Sequence, residues 1–176
     1  MKKLLILVAV LLGVSTVSAQ KFARINLQEV IVAMPEFEEA QKNLETFGKD
    51  LQEQMEQIQV EFNNKLADFQ KNQATMAASI KQMRQQELEQ LQQRFGEFQQ
   101  IAQQDFQKKE QELLEPVQKK ANEAVNKVAK ANGYIAVFNT SVPSLAYFDE
   151  AQLTDIAALV KKELGITEQP AAAPAK

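Results

Sequence analysis

The sequence has 176 residues, with 20 Lys and Arg against 23 Asp and Glu, no Cys, His or Trp, and five Gly. Without thiol or imidazole there is no cysteine nucleophile, disulfide, zinc finger or Ser-His-Asp triad, and five scattered glycines make no phosphate-cradling loop. A net charge of −3 without a basic stripe argues against a nucleic-acid binder, so the composition points away from an enzyme and calls for no metal and no cofactor.

Lys2 and Lys3 precede an apolar run from Leu4 to Val14, followed by small residues up to Ala19. This is the pattern of a signal peptide over 1–19, with Val17 and Ala19 at the selective positions. The run falls short of the about 20 apolar residues of a spanning helix, which favours a cleaved signal over an uncleaved anchor. Its removal leaves 18 basic and 23 acidic side chains, a net charge of −5. The mature chain is expected to be exported and soluble, with no stable membrane span after cleavage.

Residues 22–27 alternate apolar and polar as a half-buried strand does. Asn26 is placed to cap a short helix over 27–33. Pro35 suits the first turn of the next helix, with Glu36, Glu38 and Glu39 at its positive end. Leu44, Phe47, Leu51, Met55, Ile58, Phe62, Leu66 and Phe69 then recur about every 3.6 residues, the helical period. Their order is an eleven-residue repeat, continued by Ile80, Leu91, Ala102 and Leu113, and such helices pack nearly straight. The stripe fades near 71–79, where Ser79 is placed to cap a new helix. Helices over 36–72 and 79–115 are equal in length, about 55 Å each. That match favours an antiparallel hairpin over one continuous helix of about 80 residues.

Pro116 ends or kinks the second arm, and a helix resumes over 116–131. Asn132-Gly133 supplies a left-handed cap, residues 134–139 read as a strand, and 140–144 as a turn. Leu145-Ala146-Tyr147-Phe148 reads as another strand. Thr154 is placed to cap a final helix through Leu164, closed by Gly165. Residues 167–176 have nothing to bury and read as a disordered tail.

The expected fold class is thus α+β, mostly α. Residues 20–34 and 116–166 form a small oligomerisation body, whose strand residues Phe22, Ile25, Ile135, Val137 and Phe138 are its candidate assembly residues. Residues 35–115 form the hairpin arm. A body of this size is marginal alone, and a bare helix pair has no third layer to cover its apolar stripe. Self-association with projecting arms resolves the first problem, and partly uncovered arms offer a surface to other chains. Most of the stripe is helix packing. The candidate client-binding residues are those near the tip: Phe62, Phe69, Met76, Met83, Phe95 and Phe98, Met being suited to promiscuous contact. Glu87, Glu89 and Asp105 read as solvent-facing charges paired along the helix. Asn139-Thr140-Ser141 reads as a strand terminator.

The opening Phe22-Ala-Arg-Ile-Asn-Leu-Gln-Glu-Val, then Met34-Pro35-Glu36, the Gln-rich hairpin, Leu113-Leu-Glu-Pro-Val-Gln-Lys-Lys-Ala, Ala131-Asn-Gly-Tyr-Ile-Ala-Val-Phe and the closing Leu153–Leu164 resemble the Skp/OmpH family of periplasmic chaperones. The pattern is most similar to the branch of that family found in Bacteroidetes. The resemblance implies a homotrimer whose bodies hold three hairpins around a cavity. It also implies an ATP-independent periplasmic holdase that keeps unfolded outer-membrane β-barrel proteins from aggregating. The alternative is an envelope coiled-coil adaptor or spacer with one defined folded partner. The chain departs from the strongly basic, best-known members, with a sequence pI of about 5.2. No lipopolysaccharide-binding residues are carried over, and client contact is expected to rest on apolar and amide side chains.

Overall fold

The computed structural model describes residues 20–142 and 146–166, with the side chain of Glu150 also excluded. The expected signal peptide, the tail, and Leu145 of the expected second C-terminal strand lie outside the described residues. In chain order the elements are β1 (Lys21–Ile25), α1 (Leu27–Val32), α2 (Pro35–Asn72), α3 (Ala78–Asn132), β2 (Tyr134–Asn139), a single 3-10 turn (Glu150–Gln152), β3 (Thr154–Asp155) and α4 (Ala157–Glu163).

Local chemistry sets most of the boundaries. The Asn26 side chain accepts from the Glu29 backbone N–H at 3.2 Å and starts α1. Pro35 occupies the first turn of α2, where its missing N–H costs nothing. Gly133 ends α3 with φ of 71°, a left-handed geometry that favours glycine. At the tip, the Asn72 amide donates to the Asp68 carbonyl and carboxylate at 3.0 and 2.8 Å, and Thr75 folds back onto the Asn72 carbonyl at 3.0 Å. Ala77, in extended conformation, precedes α3; Ser79 lies inside the helix rather than capping it.

Three further sequence expectations are corrected. Pro116 does not end the second arm, and no separate helix begins there, because α3 runs unbroken through it. An internal proline removes one ladder bond and costs about 3 kcal/mol in a helix interior. Here packing outweighs it: Val117, Ala121, Ala124 and Val128 present one buried face to the body, while Pro116 itself is exposed to solvent. The described part of 145–148 is not a strand; the third strand is β3, two residues long. Thr154 therefore sits in a strand, and the cap at α4 comes from Asp155, whose side chain accepts from the Ala157 N–H at 2.9 Å.

The sheet order is β2-β1-β3, and both neighbours run parallel to β1. Parallel strands need a long crossover, and here the entire hairpin is the crossover between β1 and β2. The face of β1 carrying Ala23 and Ile25 packs on Val30, Ala124, Val128, Ile156 and Val160. A second cluster of Ile31, Met34, Val117 and Ala121 joins α1 to the root of the arm. Helices therefore cover one face of the sheet.

Along the arm the helix pair has only a thin interior. Ala40, Ile58, Leu91 and Ala102 are its buried residues between Pro35 and Glu115. At Gly48 the helices approach closely: a Cβ there would lie 3.2 Å from Phe106 Cε2. Gly96 is different, because a Cβ there would meet nothing within 4 Å. Gly96→Ala is therefore expected to stabilise the arm by about 1 kcal/mol through helix propensity alone. Gly48→Ala is expected to gain less, since Phe106 must yield. Urea melts followed at 222 nm compare the two; an equal gain would contradict the tight packing at Gly48.

Candidate functional site

Two surfaces have the character of interaction sites. The first is the arm, α2 paired against the part of α3 that precedes the body. Every member of the α2 stripe from Leu44 to Phe69 is half-buried except Ile58, which is buried. Of the candidate client residues, Phe62 and Phe69 lie on α2, Met76 in the tip, and Met83, Phe95 and Phe98 on α3. All are half-buried except Met83, which is 52% exposed beside Ile80 at 43%. Val60 and Ile101 add further exposed apolar area along the shafts. The stripe is thus shared between pairing the helices and facing outward along the whole arm.

Charge crosses the arm at two levels. At the root, Lys120 of α3 bonds Glu36 of α2. In the distal half, Lys65 bonds Glu87, Arg84 reaches the other oxygen of Glu87 at 2.9 Å, and Glu61 lies 3.8 Å from both Lys65 and Arg94. Glu87 is therefore a half-buried cross-arm partner, not the solvent-facing charge its sequence position suggests. Hydrogen bonds from Lys65, then Arg84, hold its carboxyl below the usual carboxylate range. That contribution is present above the ordinary carboxylate pKa and is lost as the pH falls through the depressed one. Lys65 and Glu87 stand equally far from Met76 along the chain, so a known tip would have exposed the pairing in the sequence.

The second surface is the outer face of the sheet. Phe22 and Phe138 stack there with ring centroids 6.1 Å apart and planes at 24°. Tyr147, Phe148 and Leu153 join them around a shallow depression of about 260 Å³. Tyr147 is 84% exposed and Ile135 58%. Arg24 and Asp155 pair at 3.3 Å beside this aromatic group. Of the candidate assembly residues, Ile25 lies in the core of its own body and Val137 packs against that core. Phe22, Ile135 and Phe138 belong to the accessible side. Asn139 ends β2 as expected, and its side chain also ties the body together by accepting from the Leu27 N–H at 3.3 Å and from Ser141 Oγ at 2.7 Å.

Among the described residues no group of acidic side chains could hold a metal ion. No described helix is long and apolar enough to cross a membrane.

A small sheet-and-helix body from which one long helical hairpin emerges, with an apolar stripe along it, defines an α+β fold that is mostly α. The family model for outer membrane protein (OmpH-like) matches residues 21–164, and the chain belongs to that family. Among its relatives, the Chaperone protein Skp of Yersinia enterocolitica is 26% identical over 150 residues, covering 85% of this chain and 89% of the relative. The Chaperone protein Skp of Photorhabdus laumondii is 24% identical over 165 residues, covering 92% and 100%. The fold is similar to a solved chain from Caulobacter crescentus described as an OmpH-like outer-membrane chaperone, with a TM-score of 0.71, 14% identity, and 86% and 88% of the two chains covered.

Proposed function

We propose that the chain is an ATP-independent holdase of the periplasm, assembled as a homotrimer, which holds unfolded outer-membrane β-barrel proteins between its arms and prevents their aggregation. The observation that carries this reading is the arm's apolar stripe, whose members from Leu44 to Phe69 the partner helix leaves partly exposed, all but Ile58. A packed core would hide these side chains, whereas a partly covered stripe offers many weak apolar contacts over about 38 Å. Three arms rooted in one assembly raise the effective concentration of such contacts around a client, so no single strong site is required. The uncovered aromatic face of the sheet supports self-association of the bodies. The family membership and the names of the relatives favour the same role.

Light scattering of residues 20–176 tests the reading, alone and after dilution of a urea-unfolded outer-membrane β-barrel into the protein. The expected result is three times the chain mass, rising by one soluble client. A single-chain mass with the client precipitating regardless would remove the holding mechanism. A mass change seen only with one folded envelope protein would favour an adaptor instead.

A further inference from the structure

No residue from Gln59 to Gln90 is buried, although this stretch includes the distal parts of both helices. Immediately below it lie Ile58 and Leu91, 5% and 6% exposed, and further down Ala102. Above that level the seam consists of half-buried Phe62, Leu66, Phe69, Met76 and Leu88. The distal ion pairs fall in this same stretch. Lys65 and Arg84 converge on the two oxygens of Glu87, and Glu61 links Lys65 to Arg94 just below. Arg84 Nε is buried without a hydrogen-bond partner, and the guanidinium is held at Glu87 through Nη1. At the root, by contrast, the Glu36–Lys120 pair sits beside the buried Met34, Val117 and Ala121.

We propose that the distal segment 59–90 opens as a unit of its own, held shut by a clasp in which Lys65 reaches across the arm to Glu87, with Arg84 steadying Glu87 and Glu61 beside Lys65. A segment with no fully buried apolar side chain has little local stability. Half-exposed ion pairs add a small, salt-screened increment, so the closed segment stays near balance while Ile58, Leu91 and Ala102 keep the rest of the arm paired. Opening turns Phe62, Leu66, Phe69 and Leu88 outward together. Their use in capturing a client rests on the holdase reading; the opening itself does not.

Hydrogen exchange followed by mass spectrometry on residues 20–176 tests this. Glu87→Gln and Lys65→Gln are each expected to speed exchange within 59–90 about three- to fivefold, while 35–57 and 92–132 change by less than about twofold. The double variant should fall clearly short of the sum of the two single effects, because both remove the Lys65–Glu87 contact and each removes only one further contact of its own. Lys65→Leu with Glu87→Leu continues the apolar seam and should slow exchange in 59–90 below that of the unaltered protein. Exchange that changes uniformly along the arm, or additive effects of the two Gln substitutions, would overturn the clasp. Capture of an unfolded β-barrel is scored separately by light scattering: no capture by the unaltered protein would sink the holdase reading while the exchange data still decide the clasp. If capture occurs, the leucine-closed variant should hold about fivefold less client, and equal capture would sever opening from binding.

Discussion

Ile25→Ala is expected to destabilise the body by about 3 kcal/mol, within the range for emptying a large aliphatic site in a core. Ile25 is 2% exposed and lies on the central strand, where it meets α1, α3 and α4 in one cluster. The alternative of collapse around the void is restricted, because Ala23, Ala124 and Val128 beside it are small and their backbones are fixed by the sheet and the long helix. For a chain of this length the loss corresponds to a fall in Tm of about 10 °C, read by calorimetry at fixed protein concentration. Val32→Ala serves as the control, since Val32 on the outer side of α1 is 55% exposed and should change stability by less than about 0.5 kcal/mol. Equal effects at the two sites would mean that the helix-covered face of the sheet is not the seat of the core.

Phe138→Asp is expected to reduce the proposed trimer to single chains at micromolar concentration while leaving helicity intact. Phe138 stacks on Phe22 at the uncovered face and belongs to neither buried cluster, so the folded body keeps its interior. If copies meet through this face, an introduced carboxylate must be taken out of water among aromatic rings, and the cation beside it, Arg24, is already paired with Asp155, so the cost is several kcal/mol. Phe138→Leu keeps the apolar area and should keep the mass. Light scattering distinguishes the outcomes: an unaltered mass in Phe138→Asp would move the assembly surface elsewhere, and a single-chain mass in the unaltered protein would remove the trimer itself.

Elements whose boundaries rest on local chemistry were legible in the sequence. The Asn26 cap, Pro35 in the first turn of α2, Gly133 at the end of α3 and the strand over 134–139 each follow from a residue and its immediate neighbours. The family resemblance was likewise carried by residues that can be read directly. What escaped the sequence depended on partners far along the chain. Pro116 reads locally as a break, and only the buried face from Val117 to Val128 and the Glu36 contact explain why the helix passes through it. A strand of two residues has no periodicity to read, so β3 was invisible and the apolar run ending at Phe148 was preferred. Thr154 and Asp155 are adjacent capping residues, and only the start of α4 at Ala157, whose N–H reaches Asp155, decides between them. Among the arm residues, the stripe was evident, but the cross-arm role of Glu87 needed the position of the tip.

The parallel pairing of β1 with β2 also sets an order of folding. Thr140 donates to the Ile25 carbonyl across a sequence separation of 115 residues. Closing a flexible loop of that size costs about 2 kcal/mol more than closing one of about ten residues, and non-local pairing of this kind is slow. Once α2 and α3 have paired, Glu36 and Lys120 are already together at the root, and the sheet has only short connectors left to order. Pairing the arm before the sheet therefore leaves the least loop entropy for the sheet to meet, and makes the arm the scaffold on which its own body closes. A chain emerging N-terminus first holds β1 without a partner until β2 has followed it, and Val160 is the last buried residue to reach the core.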